Sequence, residues 1–255
     1  MAHLLLIDAL NLIRRIYAVD CEQAGLNDEQ IIKSCSQRVK NATRKLLKIT
    51  QATHAIAVFD GDKSWRYHLY SEYKATRKPM PNELKVNLEN VATAFTDNHV
   101  KAYFPTQDEA DDILATLAFK ASNHGVTSTI VSTDKGFLPL ISEHIKIYDY
   151  FKQQAISADD VANKFSIDKS KLHDFWGLMG DKTNDIPGVK GVGKKTAIEV
   201  LSQFNSVEHA LADPELPSPV RKKIEADIDN FILSKSLVAL RTDIEVGFTL
   251  KELRL

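Results

Sequence analysis

Neither sign of charge dominates this sequence. Its 33 basic and 34 acidic residues leave a net charge of −1 over 255 residues. A strongly basic nucleic-acid coat protein is disfavoured, although the two signs can still be segregated locally. Cysteine is scarce. Cys21 and Cys35 are the whole supply and match no metal-ligand spacing, which argues against a disulfide framework and for reduced thiols in the cytoplasm. No apolar run reaches the roughly 18 residues needed to span a bilayer. The stretch 1–13 is apolar enough to resemble a signal peptide. Asp8 and Asn11 interrupt it, however, and it has neither a basic leader nor a small-residue cleavage site, so it reads as a buried first strand. Solenoid-period repeats and low-complexity tracts are missing. The eight histidines are scattered, with no Ser/His/Asp or Cys/His nucleophile arrangement.

What is present is ordinary for a globular chain, with 44% apolar and 26% charged residues. The length suits one large domain, or a main domain with a smaller lobe. Over the first 150 residues, short apolar runs at 3–7, 54–59, 100–104, 127–132 and 144–148 read as strands. Helical periodicity fills 27–49, 82–98, 109–123 and 136–142 between them. This alternation predicts βαβ units and an α/β fold with a mostly parallel twisted sheet flanked by helices. From about residue 155 strand signals thin out, and helices are expected at 157–165, 170–179, 194–204 and 220–240.

The acids fall at the strand ends. The first strand ends in Ile7-Asp8, the second in Phe59-Asp60, and the fourth runs into Thr133-Asp134. Glu109-Ala110-Asp111-Asp112 follows the third strand and opens a helix. In a parallel sheet these groups meet at the carboxyl edge, where open α/β sheets place ligands. Taken singly, each acid can equally be a helix cap or a turn residue. Together they would repel one another in a crevice, and a divalent cation is the simplest remedy. All-oxygen ligation points to magnesium or manganese rather than zinc.

Residues 186–196, Ile-Pro-Gly-Val-Lys-Gly-Val-Gly-Lys-Lys-Thr, have the form of a helix–hairpin–helix. Pro187-Gly188 starts a tight turn, and Gly191 and Gly193 let the backbone approach a phosphate closely. The N–H groups opening the next helix then point at the anion. Lys190, Lys194 and Lys195 add charge, and Gly191, Val192, Gly193 and Thr196 complete the expected DNA contacts, which hold the backbone without reading sequence. Between Asp60 and Pro81 lie Lys63, Trp65, Arg66, Tyr67, His68, Tyr70, Tyr73, Lys74, Arg77 and Lys78, opposed only by Asp62 and Glu72. Cations interleaved with aromatics suit a single strand, with Arg66 and Tyr73 as expected contacts. A solvated loop with a few core tyrosines is the alternative.

These motifs resemble those of the 5′-nuclease, or flap endonuclease, superfamily, which includes the N-terminal nuclease domain of bacterial DNA polymerase I. Small stand-alone bacterial members are the nearest in form. The carrying residues are Asp8 with Asn11, Val58-Phe59-Asp60, Tyr73-Lys74-Ala75-x-Arg77, Glu109 to Asp112, Ser132 to Lys135, and Gly180-Asp181 through Thr196. The likeness runs from about Leu4 to Val246 and stops short of any polymerase domain. It implies a PIN-like nuclease core over 1–155 that includes a basic arch at 62–85. A helical lobe follows over 156–255, with the helix–hairpin–helix at 178–204.

The implied activity is hydrolysis of 5′-flap or branched DNA by metal-activated water, with a monomeric enzyme acting as endonuclease and 5′–3′ exonuclease. Asp8, Asp60, Glu109 and Asp111 look like ligands of the tighter metal, direct or through water, and Asp8, Asp60 and Asp111 are therefore counted as catalytic. Asp112, Asp134 and Asp181 look like contributors to a second metal position. Lys74 and Arg77 resemble the catalytic cations of the arch. The matching positions for a main-chain potassium site are Leu178, Met179, Pro187, Val189 and Val192. Two departures stand out. Gly136 occupies a position where the family usually carries an acid, and Asn184-Asp185 stands where it usually has Asp-Asn. Fewer carboxylates weaken a hard-cation site, so one strong and one weak metal are implied unless Asp185 compensates by a backbone shift. A DNA-binding protein with decayed catalysis and an RNA-cleaving nuclease are the alternatives. The helix–hairpin–helix favours duplex DNA over the latter.

Overall fold

The computed structural model describes residues 2–255, so Met1 of the apolar first stretch lies outside the described residues. In chain order the elements are β1 (His3–Asp8), α1 (Ala9–Cys21), α2 (Asp28–Thr50), β2 (His54–Val58), α3 (Trp65–Leu69), α4 (Asn82–Val86), α5 (Leu88–Thr96), β3 (Lys101–Tyr103), α6 (Ala110–Asn123), β4 (Thr127–Val131), β5 (Ile145–Asp149) and β6 (Gln154–Ile156). There follow α7 (Ala158–Phe165), α8 (Leu172–Met179), α9 (Lys194–Gln203), α10 (Val207–Ala212), α11 (Ser218–Ala226) and α12 (Ile228–Val238). Lys135–Leu140 is a 3-10 helix rather than the expected α-helix, and Pro139 inside it lacks the N–H an α-turn would use.

The chain divides into two compact units. The first contains the residues through Ser64, Lys78–Ala155 and Arg241–Leu255. Its sheet has the order β3-β2-β1-β4-β5-β6, and the pairs β1–β2, β1–β4, β2–β3 and β4–β5 are parallel. Both faces of the central strands are covered, which is why they read as continuous apolar runs. Leu5, Ile7, Ala55 and Ala57 join one core with Leu12, Ile16, Val39, Leu46 and Phe95 from α1, α2 and α5. Their alternating neighbours Leu4, Leu6, Ile56 and Ile130 are also buried, and α6 packs against β1, β2 and β4.

Helix α1 was not anticipated, because β1 runs into it without a turn residue. Asp8 ends the strand and also caps the helix, its carboxylate accepting the Asn11 N–H at 3.0 Å. β6 was also missed. Two long helical expectations are each broken once, at Asn87 and at Asp227. Both side chains make local polar bonds, Asn87 to the Glu83 carbonyl and Asp227 to the Asn230 amide, and such bonding competes with helix continuation.

The second unit contains Trp65–Arg77 and Ile156–Leu240. Much of the basic arch segment therefore packs with the helical part rather than with the sheet, and the last residues return to the sheet unit. Leu255 N donates to Thr53 O at 3.1 Å, and Lys120 Nζ to Ile244 O at 2.8 Å. Within the second unit α8 packs on α9 and α12. Both cysteines are free. Cys21 is exposed, and burial first of all pushes the Cys35 thiol up to about 12. Among the described residues no helix is long and apolar enough to cross a membrane.

Candidate active site and nucleic-acid interface

The sheet order changes direction between β1 and β4, and the crevice outside their carboxyl ends is where such a fold binds ligands. Asp8 ends β1 there and is buried, with Oδ2 accepting the Ser132 hydroxyl at 2.8 Å. Ser132 Oγ also accepts the Asp134 N–H at 3.0 Å, and Asp134 Oδ1 accepts the Gly136 N–H at 2.7 Å. Asp60, just beyond β2, accepts the Ala110 N–H at 2.9 Å on Oδ1. That bond ties the end of β2 to the acidic start of α6, where Glu109 is buried and accepts the Ser64 hydroxyl at 3.3 Å. Asp111 is half-buried on the first turn of α6. Asp112 is fully buried, with Oδ1 accepting the Arg241 N–H at 2.9 Å.

Burial first, then the charges of Asp60 and Asp134, hold the Asp8 carboxyl well above the usual carboxylate range, against the hydrogen bonds from Asn11 and Ser132. A cation here would relieve that repulsion, and the all-oxygen donor set suits a hard dication. As the side chains stand, no three His, Cys, Asp or Glu groups among the described residues close around one point. Sequence reading named Asn11 and Thr133 only within motifs and passed over Arg15 and Phe151, which complete the polar frame of this edge. Asn11 exchanges hydrogen bonds with Thr133, and Arg15 donates to the Thr133 hydroxyl at 2.6 Å while its guanidinium lies 4.8 Å from the Phe151 ring centre. The available signal was the Asp8-x-x-Asn11 spacing of a capped helix start.

In the second unit Asp181 is buried, accepting the Thr183 N–H at 3.1 Å and the Asn184 side-chain amide at 2.9 Å. The hairpin follows. Gly180 (φ 71) and Gly188 (φ 66) lie back to back, and a Cβ on Gly188 would come within 2.3 Å of the Gly180 nitrogen. Leu178 O accepts from Val189 N at 2.7 Å, and Val189 O accepts from Val192 N at 3.0 Å. Each carbonyl keeps a second lone pair, and Met179, Pro187 and Val192 lie on the same turn. Asp227 Oδ2 accepts the Lys190 N–H at 2.7 Å, and Lys223 Nζ donates to Gly191 O at 3.1 Å. Gly193 caps α9 with open space where a Cβ would stand. Gly191, Lys194 and Lys195 are exposed around this helix start, with Thr196 half-buried. The arrangement can accept an anion through free first-turn N–H groups and flanking cations.

Two expected strand contacts are corrected. Arg66 is buried, with Nε donating to Leu237 O and an Nη to Ala239 O, both at 2.8 Å. It satisfies carbonyls at the carboxyl end of α12, where a cation also suits the helix dipole. Tyr73 is buried against Ile186 and Leu237. Neither side chain is available to a DNA strand. Lys74 is half-buried with its ammonium 5.0 Å from the Tyr73 ring centre, and Arg77 is exposed.

Residues 3–166 match the 5′-3′ exonuclease N-terminal resolvase-like domain, and residues 167–255 the 5′-3′ exonuclease C-terminal SAM fold. The flap endonuclease Xni of Pseudoalteromonas translucida is 55% identical over 99% of this chain and 98% of its own length. That of Vibrio cholerae is 41% identical over 99% of this chain and 96% of its own. Among solved structures, a zinc-bound T5 5′-exonuclease superposes with a TM-score of 0.76 at 19% identity, covering 92% of this chain and 89% of that one. A T5 D15 flap endonuclease in a pseudo-enzyme–product complex with DNA and metal ions gives 0.75 at 21% identity, over 94% and 90%. At these identities the two structures speak for the fold. With both halves matched and whole-length relatives above 40% identity, the chain belongs to the 5′-3′ exonuclease family, among its Xni flap endonucleases.

Proposed function

We propose that this chain is a structure-specific 5′-nuclease, hydrolysing phosphodiester bonds at 5′ flaps, overhangs or branches of DNA. The supporting observation is the gathering of Asp8, Asp60, Glu109, Asp111 and Asp134 at the carboxyl edge of one parallel sheet, in a chain of this family. Asp8, Asp60, Glu109 and Asp111 would hold the tighter magnesium or manganese ion, and Asp112, Asp134 and Asp181 would contribute to a weaker second position. When bound, such a cation would supply activation of the attacking water and neutralisation of charge building on the phosphate. Ser132 and Asn11 orient Asp8, and Asp60 fixes the start of α6 through Ala110 N. Lys74 and Arg77 are assigned to the developing charge on the phosphate oxygens. The hairpin from Gly191 to Thr196, with Lys190, holds the duplex backbone, and potassium on the carbonyls of Leu178, Met179, Pro187, Val189 and Val192 would strengthen that grip.

The enzyme is read as a monomer working in the cytoplasm. A labelled 5′-flap duplex, incubated with magnesium and then with EDTA, tests the proposal. Cutting near the branch that EDTA abolishes is expected. Tight flap binding with no cutting at any magnesium concentration would instead mark a binding protein.

A further inference from the structure

The segment assigned to charge stabilisation is held by a residue to which no role has been given. Lys74 adopts φ 56 and Asp185 φ 55, both in the left-handed region. A lysine stays there only when its surroundings over-determine it. Lys74 N donates to Asn184 O at 3.0 Å. The Asp185 carboxylate takes both donors of Thr76, the N–H at 2.9 Å and the hydroxyl at 2.7 and 2.9 Å on its two oxygens. Arg77 N closes the turn on Lys74 O at 3.1 Å. The backbone from Lys74 to Arg77 is thus clamped to the loop that leads directly into the hairpin at Pro187. Both Asp185 oxygens accept from Thr76, so the carboxylate is oriented toward that turn.

We propose that Asp185 is a positioning residue for Lys74 and Arg77. It fixes the turn from which both cations project, and it does so from the same loop that carries the phosphate-binding hairpin. Duplex seating and cation placement are thereby linked through one carboxylate. The inference deepens the proposed function and rests on it.

The test is single-turnover cleavage of a 5′-flap duplex at saturating enzyme, with binding and melting measured alongside. Asp185→Ala should slow cleavage roughly tenfold to a hundredfold, as misplacement of a catalytic group does, with little change in flap affinity or melting temperature. Asp185→Asn keeps one acceptor oxygen and should recover part of the rate. Thr76→Ser should be near wild type, and Thr76→Val should fall between. The Thr76 amide should lose hydrogen-exchange protection in Asp185→Ala. The deciding arm is the Lys74→Ala/Arg77→Ala background, in which adding Asp185→Ala should cost nothing further. Wild-type cleavage by Asp185→Ala, or an equal loss in the cation-free background, overturns the inference while the nuclease reading stands. Failure of the unsubstituted chain to cut would overturn the nuclease reading, and this inference with it.

Discussion

One hydroxyl joins two acids across the strands: Ser132 Oγ donates to Asp8 Oδ2 at 2.8 Å and accepts the Asp134 N–H at 3.0 Å. Outer partners of this kind orient a metal ligand, and losing one typically costs tenfold to a hundredfold in affinity or activity. Ser132→Ala should therefore raise the magnesium needed for half-maximal cleavage by roughly tenfold or more. A magnesium titration of flap cleavage would check this. An unchanged midpoint would mean that Asp8 is held well enough by Asn11 N alone.

Asp111 stands half-buried on the first turn of α6, whose start is tied to Asp60. Asp111→Ala should remove several kcal/mol of transition-state stabilisation, roughly a thousandfold or more in rate. DNA binding should persist or tighten, since a negative charge near phosphate is gone. Near-normal cutting by the folded variant would remove Asp111 from the reaction.

The hairpin prediction concerns salt. Lys194 and Lys195 flank the open start of α9, and Lys195 is 92% exposed, 3.9 Å from Glu199. Replacing both by alanine should weaken duplex binding and flatten its salt dependence by up to about 1.8 logarithmic units, roughly 0.9 per lost phosphate contact. An unaltered slope would show that they face solvent only. If the turn carbonyls hold potassium, exchanging it for lithium at constant ionic strength should also weaken binding, and equal affinities would count against the ion.

The backbone angle of Gly136 does not require glycine. It lies outside the left-handed region, and an added Cβ would meet only Asp134 Oδ1 at 3.2 Å, a tight contact that the carboxylate must yield to. Gly136→Asp, alone and with Asn184→Asp, should thus fold and add carboxylate charge to a depleted metal position. The expected result is a lower magnesium midpoint for cleavage, with melting as the control for folding. An identical midpoint in the folded double variant would mean that the second position is not short of charge, or that one metal suffices.

Arg66 gives a prediction of stability rather than binding. Arg66→Ala strands two carbonyls at the end of α12 that now accept charged hydrogen bonds. The loss should be about 3 kcal/mol, visible as a lower denaturant midpoint. A large fall in DNA affinity without any destabilisation would restore the contact role expected from sequence.

Much of this protein was legible in the order of its residues. The apolar runs of β1 and β2, buried along their length, announced themselves, and the shorter apolar patches of β3, β4 and β5 were still legible. An acid directly after such a strand lies at the carboxyl edge by topology alone, which placed Asp8, Asp60 and Asp134 without coordinates. Periodicity and glycine spacing likewise located α8, the hairpin and α9. Tertiary structure decided whatever depends on partners distant in the chain. Arg66 and Tyr73 look like strand-binding residues in sequence, yet their partners lie far along the chain. The Arg66 acceptors are 171 and 173 residues away, and no local pattern reveals that burial. The same holds for Asp185, whose carboxylate reaches Thr76 across 109 positions, and for Ser132, which meets Asp8 across 124. Local propensity and period choose the elements. Which polar groups become buried, and therefore must find partners, is settled only when those elements pack.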